Sequence, residues 1–210
     1  MKPKSFFIWL IVFVFLTACQ PAPEVLPGDT LFEDDFSTRD NQWTRLSNNK
    51  GMMGYDAGGF RFFIEGEGVN YWATPGLNFA DARVEVDLAL YAGPVENRMG
   101  VVCRYLNDQN FYFFVVSADG YYAVGKVYEG KQSLLAQEAM RYSSAIKQGV
   151  AIKHLRAECQ GNTLRFYVNN APVAIVEDFD LTAGDVGLLA GTFDQGGLDV
   201  LFDNFLVLQP

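Results

Sequence analysis

Histidine is nearly absent from this 210-residue chain, in which His154 stands alone. That scarcity excludes a His-rich zinc site and leaves a Ser-His-Asp triad only one ring to use, with no Gly-x-Ser-x-Gly elbow beside it. His154 therefore reads as a strand-face residue. The Gly184-Asp185-Val186-Gly187 stretch lacks the Gly-Lys-Ser/Thr of a phosphate loop, so its glycines read as a hairpin corner. Positive charge is also in short supply, with 16 Lys and Arg against 25 Asp and Glu. Such a surface repels nucleic acid phosphates and anionic lipid and disfavours acidic polysaccharides; neutral glycans, cationic peptides or a protein partner remain. No segment carries a sustained helical period, and residues 142–148 have room for one short helical turn only. The apolar run at 6–16 is eleven residues long, where a bilayer-spanning helix needs about 20.

That run is informative for another reason. Lys2 and Lys4 precede it, and it ends in Leu16-Thr17-Ala18-Cys19, the charged, apolar and small-residue order of a secretory signal. The tetrapeptide resembles the lipobox of bacterial lipoproteins, which implies cleavage between Ala18 and Cys19 and acylation of Cys19. Each buried methylene of an acyl chain adds about 0.8 kcal/mol, so two or more chains hold a soluble domain at a membrane. Gln20 takes the place of the Asp that, by the same resemblance, would favour retention at an inner membrane. The expectation is an exported lipoprotein anchored at the cell envelope: a signal peptide at 1–18, a Pro-rich tether at 19–30 and one folded domain at 31–210.

Loss of the signal removes Lys2 and Lys4 and takes the formal charge from −9 to −11 over 192 residues. That length suits a single core. Beyond Cys19 only Cys103 and Cys159 remain, 56 residues apart. In an oxidising compartment this even pair reads as a disulfide worth about 4 kcal/mol by the chain-entropy model. Two buried free thiols are the alternative.

Period-two alternation recurs at 59–65, 82–91, 98–106, 111–117, 121–128, 150–159, 163–169, 172–177, 185–190 and 198–208. Asn107-Asp108-Gln109-Asn110, Ala118-Asp119-Gly120, Glu129-Gly130, Gln160-Gly161-Asn162 and Asn169-Asn170 separate the runs as tight reversals. Many short strands with such turns predict an all-β antiparallel sandwich or barrel. On the 82–91 strand Val84, Val86 and Leu88 should face the core and Arg83, Glu85 and Asp87 the solvent. The segments at 31–36 and 201–205 share an apolar, acidic and Phe pattern, and the terminal strands are expected to pair.

The succession Phe32-Glu33-Asp34-Asp35-Phe36, Trp43, Arg83-Val84-Glu85-Val86-Asp87 and Gly100-Val101-Val102-Cys103-Arg104-Tyr105 is similar to that of concanavalin A-like jelly-roll domains. Asn110-Phe111-Tyr112-Phe113, Leu164-Arg165-Phe166-Tyr167-Val168-Asn169 and Phe202-Asp203-Asn204-Phe205 continue it. Within that superfamily the chain most resembles the 3-keto-disaccharide hydrolase-like and laminin G-like groups. The resemblance implies an antiparallel jelly-roll sandwich over almost all of 31–208. One fold of this kind hosts lectins, glycosidases and structural modules.

Glu85-Val86-Asp87-Leu88-Ala89-Leu90 matches the start of the E-x-D-x-x-E motif of jelly-roll glucanases, whose carboxylates stand about 5 to 5.5 Å apart for retaining hydrolysis. Leu90 replaces the third carboxylate and removes the acid of that mechanism. An outward charge ladder is the simpler reading of Glu85 and Asp87. Arg83, Glu85, Asp87, Arg104, Tyr112, Tyr122 and Lys126 recur at alternate strand positions, as expected of one ligand-binding face in which aromatic rings cover sugar C–H patches and charged groups fork onto hydroxyls. Ordinary cross-strand ion pairs have the same composition. Trp72, in a loop before Pro75-Gly76, is either a stacking platform or a core residue competing with Trp43. Glu33, Asp34, Asp35, Asp203 and Asn204 bring hard oxygen ligands to the termini, where Asp35 and Asp203 are calcium candidates; capping of turns is the alternative. No other cofactor is expected. The reading is carbohydrate binding without catalysis. Hydrolysis of a modified 3-keto disaccharide through Glu85 or Asp87 is the alternative, and a structural module docking a protein is a third.

Overall fold

Alternation of apolar and polar side chains builds a two-layer β-structure here because each strand can bury only one face of a sheet that is covered on one side. The computed structural model describes residues 25–39 and 42–210; Cys19, the signal and most of the tether lie outside them. Sixteen strands are found among the described residues: β1 (Thr30–Asp34), β2 (Leu46–Asn48), β3 (Gly51–Asp56), β4 (Gly59–Ile64), β5 (Asn70–Ala73), β6 (Ala82–Ala92), β7 (Asn97–Asn107) and β8 (Asn110–Val116) form the first half. β9 (Tyr121–Tyr128), β10 (Lys131–Leu134), β11 (Arg141–Tyr142), β12 (Lys153–Gln160), β13 (Thr163–Val168), β14 (Ala171–Glu177), β15 (Asp185–Thr192) and β16 (Leu198–Leu208) form the second.

Sheet A runs β14-β13-β12-β6-β16-β4-β3-β2, with β1 also paired to β16, and sheet B runs β10-β9-β8-β7-β15-β5, with β11 also paired to β9. All pairings are antiparallel. The terminal strands meet as expected, with Phe32 opposite Val207 and Asp34 opposite Phe205. Pairing extends upstream of residue 31, since Gly28 N–H donates to Gln209 O and Gln209 N–H to Asp29 O, both at 2.9 Å. Residues 142–148, with room for one helical turn at most, hold a single turn closed by the Ile146 N–H donating to Ser143 O at 3.1 Å, and Arg141 and Tyr142 add β11 to the edge of β9.

One apolar core lies between the sheets. Val84, Val86 and Leu88 of β6 and Leu155 of β12 meet Val101, Phe114, Val124 and Leu188 of sheet B in it, and the Phe114 and Phe166 rings stand 5.6 Å apart. Cys103 of β7 and Cys159 of β12 are joined by a disulfide, so the two sheets are cross-linked covalently through this core. Near the termini Trp43 packs on Phe36, Phe60 and Phe205. Its Nε1–H donates to Asp34 Oδ2 at 2.9 Å, which makes Trp43 the interior tryptophan. Sheet B carries a second apolar cluster on its other face: Val102, Phe111, Phe113, Val115, Ala123 and Leu189, with Trp72, Tyr105, Val127, Leu134 and Met140 packed on it. β8 is therefore apolar on both sides.

Candidate functional site

The second cluster floors a groove on the outer face of sheet B. Phe111, Phe113 and Val115 rise from β8, Val127 from β9 and Leu189 from β15; Asn70 and Trp72 of β5, Arg98 of β7, Asp108 of the β7–β8 turn and Gln132 of β10 stand at the rim. Its volume is about 180 Å³, below the roughly 300–1,000 Å³ of pockets for drug-sized ligands, and suits a ring-sized residue. Glycines make the floor possible. A Cβ at Gly125 would collide with Cζ of Phe113, and one at Gly191 with Oδ1 of Asn70, so the Phe113 ring lies over one backbone and the Asn70 amide over the other.

The rim is fixed by hydrogen bonds. Trp72 Nε1–H is placed to donate to Asp108 Oδ1 at 3.0 Å and to Tyr105 Oη at 3.3 Å, and the Tyr105 hydroxyl donates to the same Asp108 oxygen. Burial first, and then the bond to Asp108, push the Tyr105 hydroxyl up to about 12, so it stays a donor at physiological pH. The Trp72 ring also packs on Phe111 with centroids 5.3 Å apart. Two residues along β5 from Trp72, Asn70 Oδ1 accepts from Arg98 at 2.6 Å, and the Arg98 guanidinium carbon lies 3.9 Å from the centre of the Phe193 ring. Phe193 also lines a neighbouring hollow of about 450 Å³ with Glu96, Ser117, Asp119, Tyr121 and Asp194.

The residues expected to share one face are distributed over three. Arg83, Glu85 and Asp87 point outward from sheet A, with Glu85 accepting from Arg83, His154 Nδ1 2.8 Å from Asp87 and His154 Nε2 3.7 Å from Glu85. Tyr112 and Tyr122 are in the core between the sheets, because even-numbered positions of β8 and β9 face inward. Arg104 is buried as well, at 2% exposure, and donates to the carbonyls of Ala80, Leu181 and Gly161 beside a bulge of β7. Lys126 leans inward from β9 to Asp178 at 2.5 Å and to Asp180. The Tyr112 hydroxyl donates to Asp178 at 2.6 Å. Burial raises the Asp178 carboxyl, but the bonds from Lys126, Tyr112 and the Asp180 amide outweigh it and hold the group below its ordinary value. Tyr112 and Lys126 thus tie sheet B to the segment that follows β14, and Arg104 ties β7 to the turn between β12 and β13.

Trp72 alone of the expected ligand residues lies in the groove, and it belongs to a strand paired with β15 instead of a loop. The sequence signal for the rest of the site was the unbroken apolar run Phe111–Val116, one side of which a two-layer sandwich must leave outside. Of the expected oxygen donors at the termini, Glu33, Asp34, Asp35 and Asn204 line one hollow, and Asp203 does not line it. Asp35 accepts from the Ser37 amide and hydroxyl, bonds that hold its carboxyl low, and Asp203 Oδ1 accepts the Asn204 amide at 2.7 Å. No group of three His, Cys, Asp or Glu suited to a metal ion occurs among the described residues.

No family model and no curated protein matches the chain. Solved structures do match in fold. The carbohydrate-binding module CBM66 from Bacillus subtilis aligns with a TM-score of 0.63 at 19% identity, over 80% of this chain and 95% of its own. A Bacillus subtilis protein of unknown function with a galectin-like fold gives 0.65 at 13%, over 89% and 98%. A GH16 protein from Bacteroides ovatus, solved with a glucan product, gives 0.62 at 10%, over 85% and 100%. The fold is the expected antiparallel jelly-roll sandwich.

Proposed function

We propose that this domain binds carbohydrate in the groove of sheet B without turning it over, and that acylation of Cys19 holds it at the cell envelope. The observation that carries the reading is the Trp72 ring, locked by Asp108 and Tyr105 at the edge of an apolar floor, with the Asn70 amide two residues along the same strand and the Arg98 guanidinium bonded to it. Sugars present apolar C–H faces bordered by hydroxyls, and an aromatic face beside fixed polar groups complements both. Glycoside hydrolysis uses a pair of carboxyl groups flanking the bond. Among the described residues lining the groove Asp108 is the one carboxylate, and its Oδ1 is engaged by Trp72 and Tyr105. The likeness in fold to a carbohydrate-binding module supports binding as the activity.

A glycan array probed with the chain from Gln20 onward, which keeps every described strand, tests the reading: selective binding that Trp72→Ala abolishes is expected, and silence across the array ends it. Anchoring is tested by labelling cells with radioactive palmitate. Label should enter the full-length protein and disappear in Cys19→Ser.

A further inference from the structure

Arg61, Arg83, Arg104, Arg156 and Arg165 each have a carboxylate within ion-pair distance. Arg98 has no such partner among the described residues, although it is half-buried at the groove wall and burial lowers its pKa. Its hydrogen-bond partner among the described residues is the neutral Asn70 amide, and Phe193 holds the plane of the guanidinium by stacking. A guanidinium carries five N–H donors in a rigid fork that fits a carboxylate with two parallel bonds. With one edge tied to Asn70, the remaining donors have no anion of the protein's own to satisfy them. Asp108, in the same groove, is engaged at Oδ1 with Trp72 and Tyr105. Glu96, Asp119 and Asp194 of the neighbouring hollow lie outside ion-pair distance of Arg98.

We infer that the groove is shaped for a sugar bearing a carboxylate, a uronic acid, with Arg98 receiving the acid group while Trp72 covers the ring. This rests on the carbohydrate reading of the groove and specifies its ligand class. The acidic composition of the chain argues the other way only at long range. Exposed charges more than about 8 Å apart are largely screened at physiological ionic strength, whereas a partly desolvated contact pair is screened much less.

The test is an array carrying uronate oligosaccharides, oligogalacturonides among them, as free acids and as methyl esters beside neutral and sulfated glycans, followed by titration of the best pair. The ester keeps the ring and removes the charge. At least one free acid should bind about tenfold or more tightly than its own ester. Arg98→Gln should bring that ratio close to one, and Arg98→Lys, which keeps charge but loses the fork, should give an intermediate ratio; unchanged thermal midpoints would show both variants folded. If esters or neutral glycans bind as well as the acids and Trp72→Ala abolishes all of it, the carboxylate inference falls and the groove reading stands. Preference for sulfated glycans over uronates also overturns the inference. If no glycan binds, the groove reading fails and takes the inference with it.

Discussion

The outer faces of the two sheets are opposites. On sheet A, residues that pair across strands carry complementary groups: Arg156 opposite Glu85, Glu158 opposite Arg83 and His154 opposite Asp87, while Arg61 grips Asp199 with two bonds at 2.7 and 2.8 Å. Arg61, Arg83, Arg156 and Arg165 there each have a carboxylate within ion-pair distance. Sheet B turns Phe111, Phe113, Val115 and Leu189 outward, and its half-buried cation, Arg98, has an amide for a partner. A face whose polar groups satisfy one another is complete in water, and cross-strand pairs of this sort add only about 0.2–1 kcal/mol each. On sheet B the apolar residues are already covered by Trp72, Tyr105, Leu134 and Met140, and what the protein leaves without a counter-ion is the Arg98 charge. The richer collection of charged residues thus lies on the face whose charges are paired with one another.

The contrast can be broken at several depths. Both faces stand on one cross-linked core, so Cys103→Ser with Cys159→Ser should cost about 4 kcal/mol, read as a lowered denaturant midpoint, and both faces should be lost in one transition. Two separated transitions would mean that the sheets are independent. The joint at Asp178 comes next. Asp178→Ala leaves the Tyr112 hydroxyl and the Lys126 ammonium without their main acceptor and should cost about 1–3 kcal/mol. Because the folded carboxyl titrates below its unfolded value near 3.8, its contribution is whole above that value and fades as pH falls through the folded one. Wild type and variant should therefore converge in stability in strong acid, and a gap that persists there would assign the effect to packing. Trp72→Ala should weaken glycan binding by tenfold or more, about 1.4 kcal/mol, and also lower the thermal midpoint, since the ring packs on Phe111 and bonds Asp108 and Tyr105; Trp72→Phe, which keeps an aromatic face, should retain more of the binding than Trp72→Ala does. The smallest effect belongs to sheet A: Glu85→Gln with Asp87→Asn should shift stability by under about 1 kcal/mol and leave glycan affinity alone. Release of product from 3-keto-glycosides by the wild type, lost in that double variant, would overturn the ranking of the two faces and establish an enzyme.

Much of this architecture was legible before any coordinates. Alternation along 82–91 separated Val84, Val86 and Leu88 from Arg83, Glu85 and Asp87 correctly, because a strand with one wet face writes its orientation into every second residue. The matched ends and the Cys103–Cys159 pair were legible for similar reasons of patterning and parity. Short strands were not: β2, β5, β10 and β11 span two to four residues, too few to establish a period. Arg104, Tyr112, Tyr122 and Lys126 were expected on an outer face because polarity was taken as the mark of exposure, and the fold turns them inward. Tyr112 and Lys126 carry polar tips that reach Asp178 from inside, while Phe111 and Phe113 look like core and are core to a second cluster that borders the groove. Arg98 gave no sign in sequence, since its isolation is defined by neighbours 28 residues before it and 95 after it in the chain, Asn70 and Phe193.

The bridge between Cys103 and Cys159 also governs how the molecule would bear tension. β1 lies in sheet A, whereas the groove sits on sheet B, so under the proposed function a pull on a bound glycan must travel from one layer to the other. β7 supplies Arg98 to the groove and Cys103 to the bridge, which gives that load a covalent route into β12. In the anchored, ligand-holding state proposed above, the sandwich should release its ligand before its two layers peel apart.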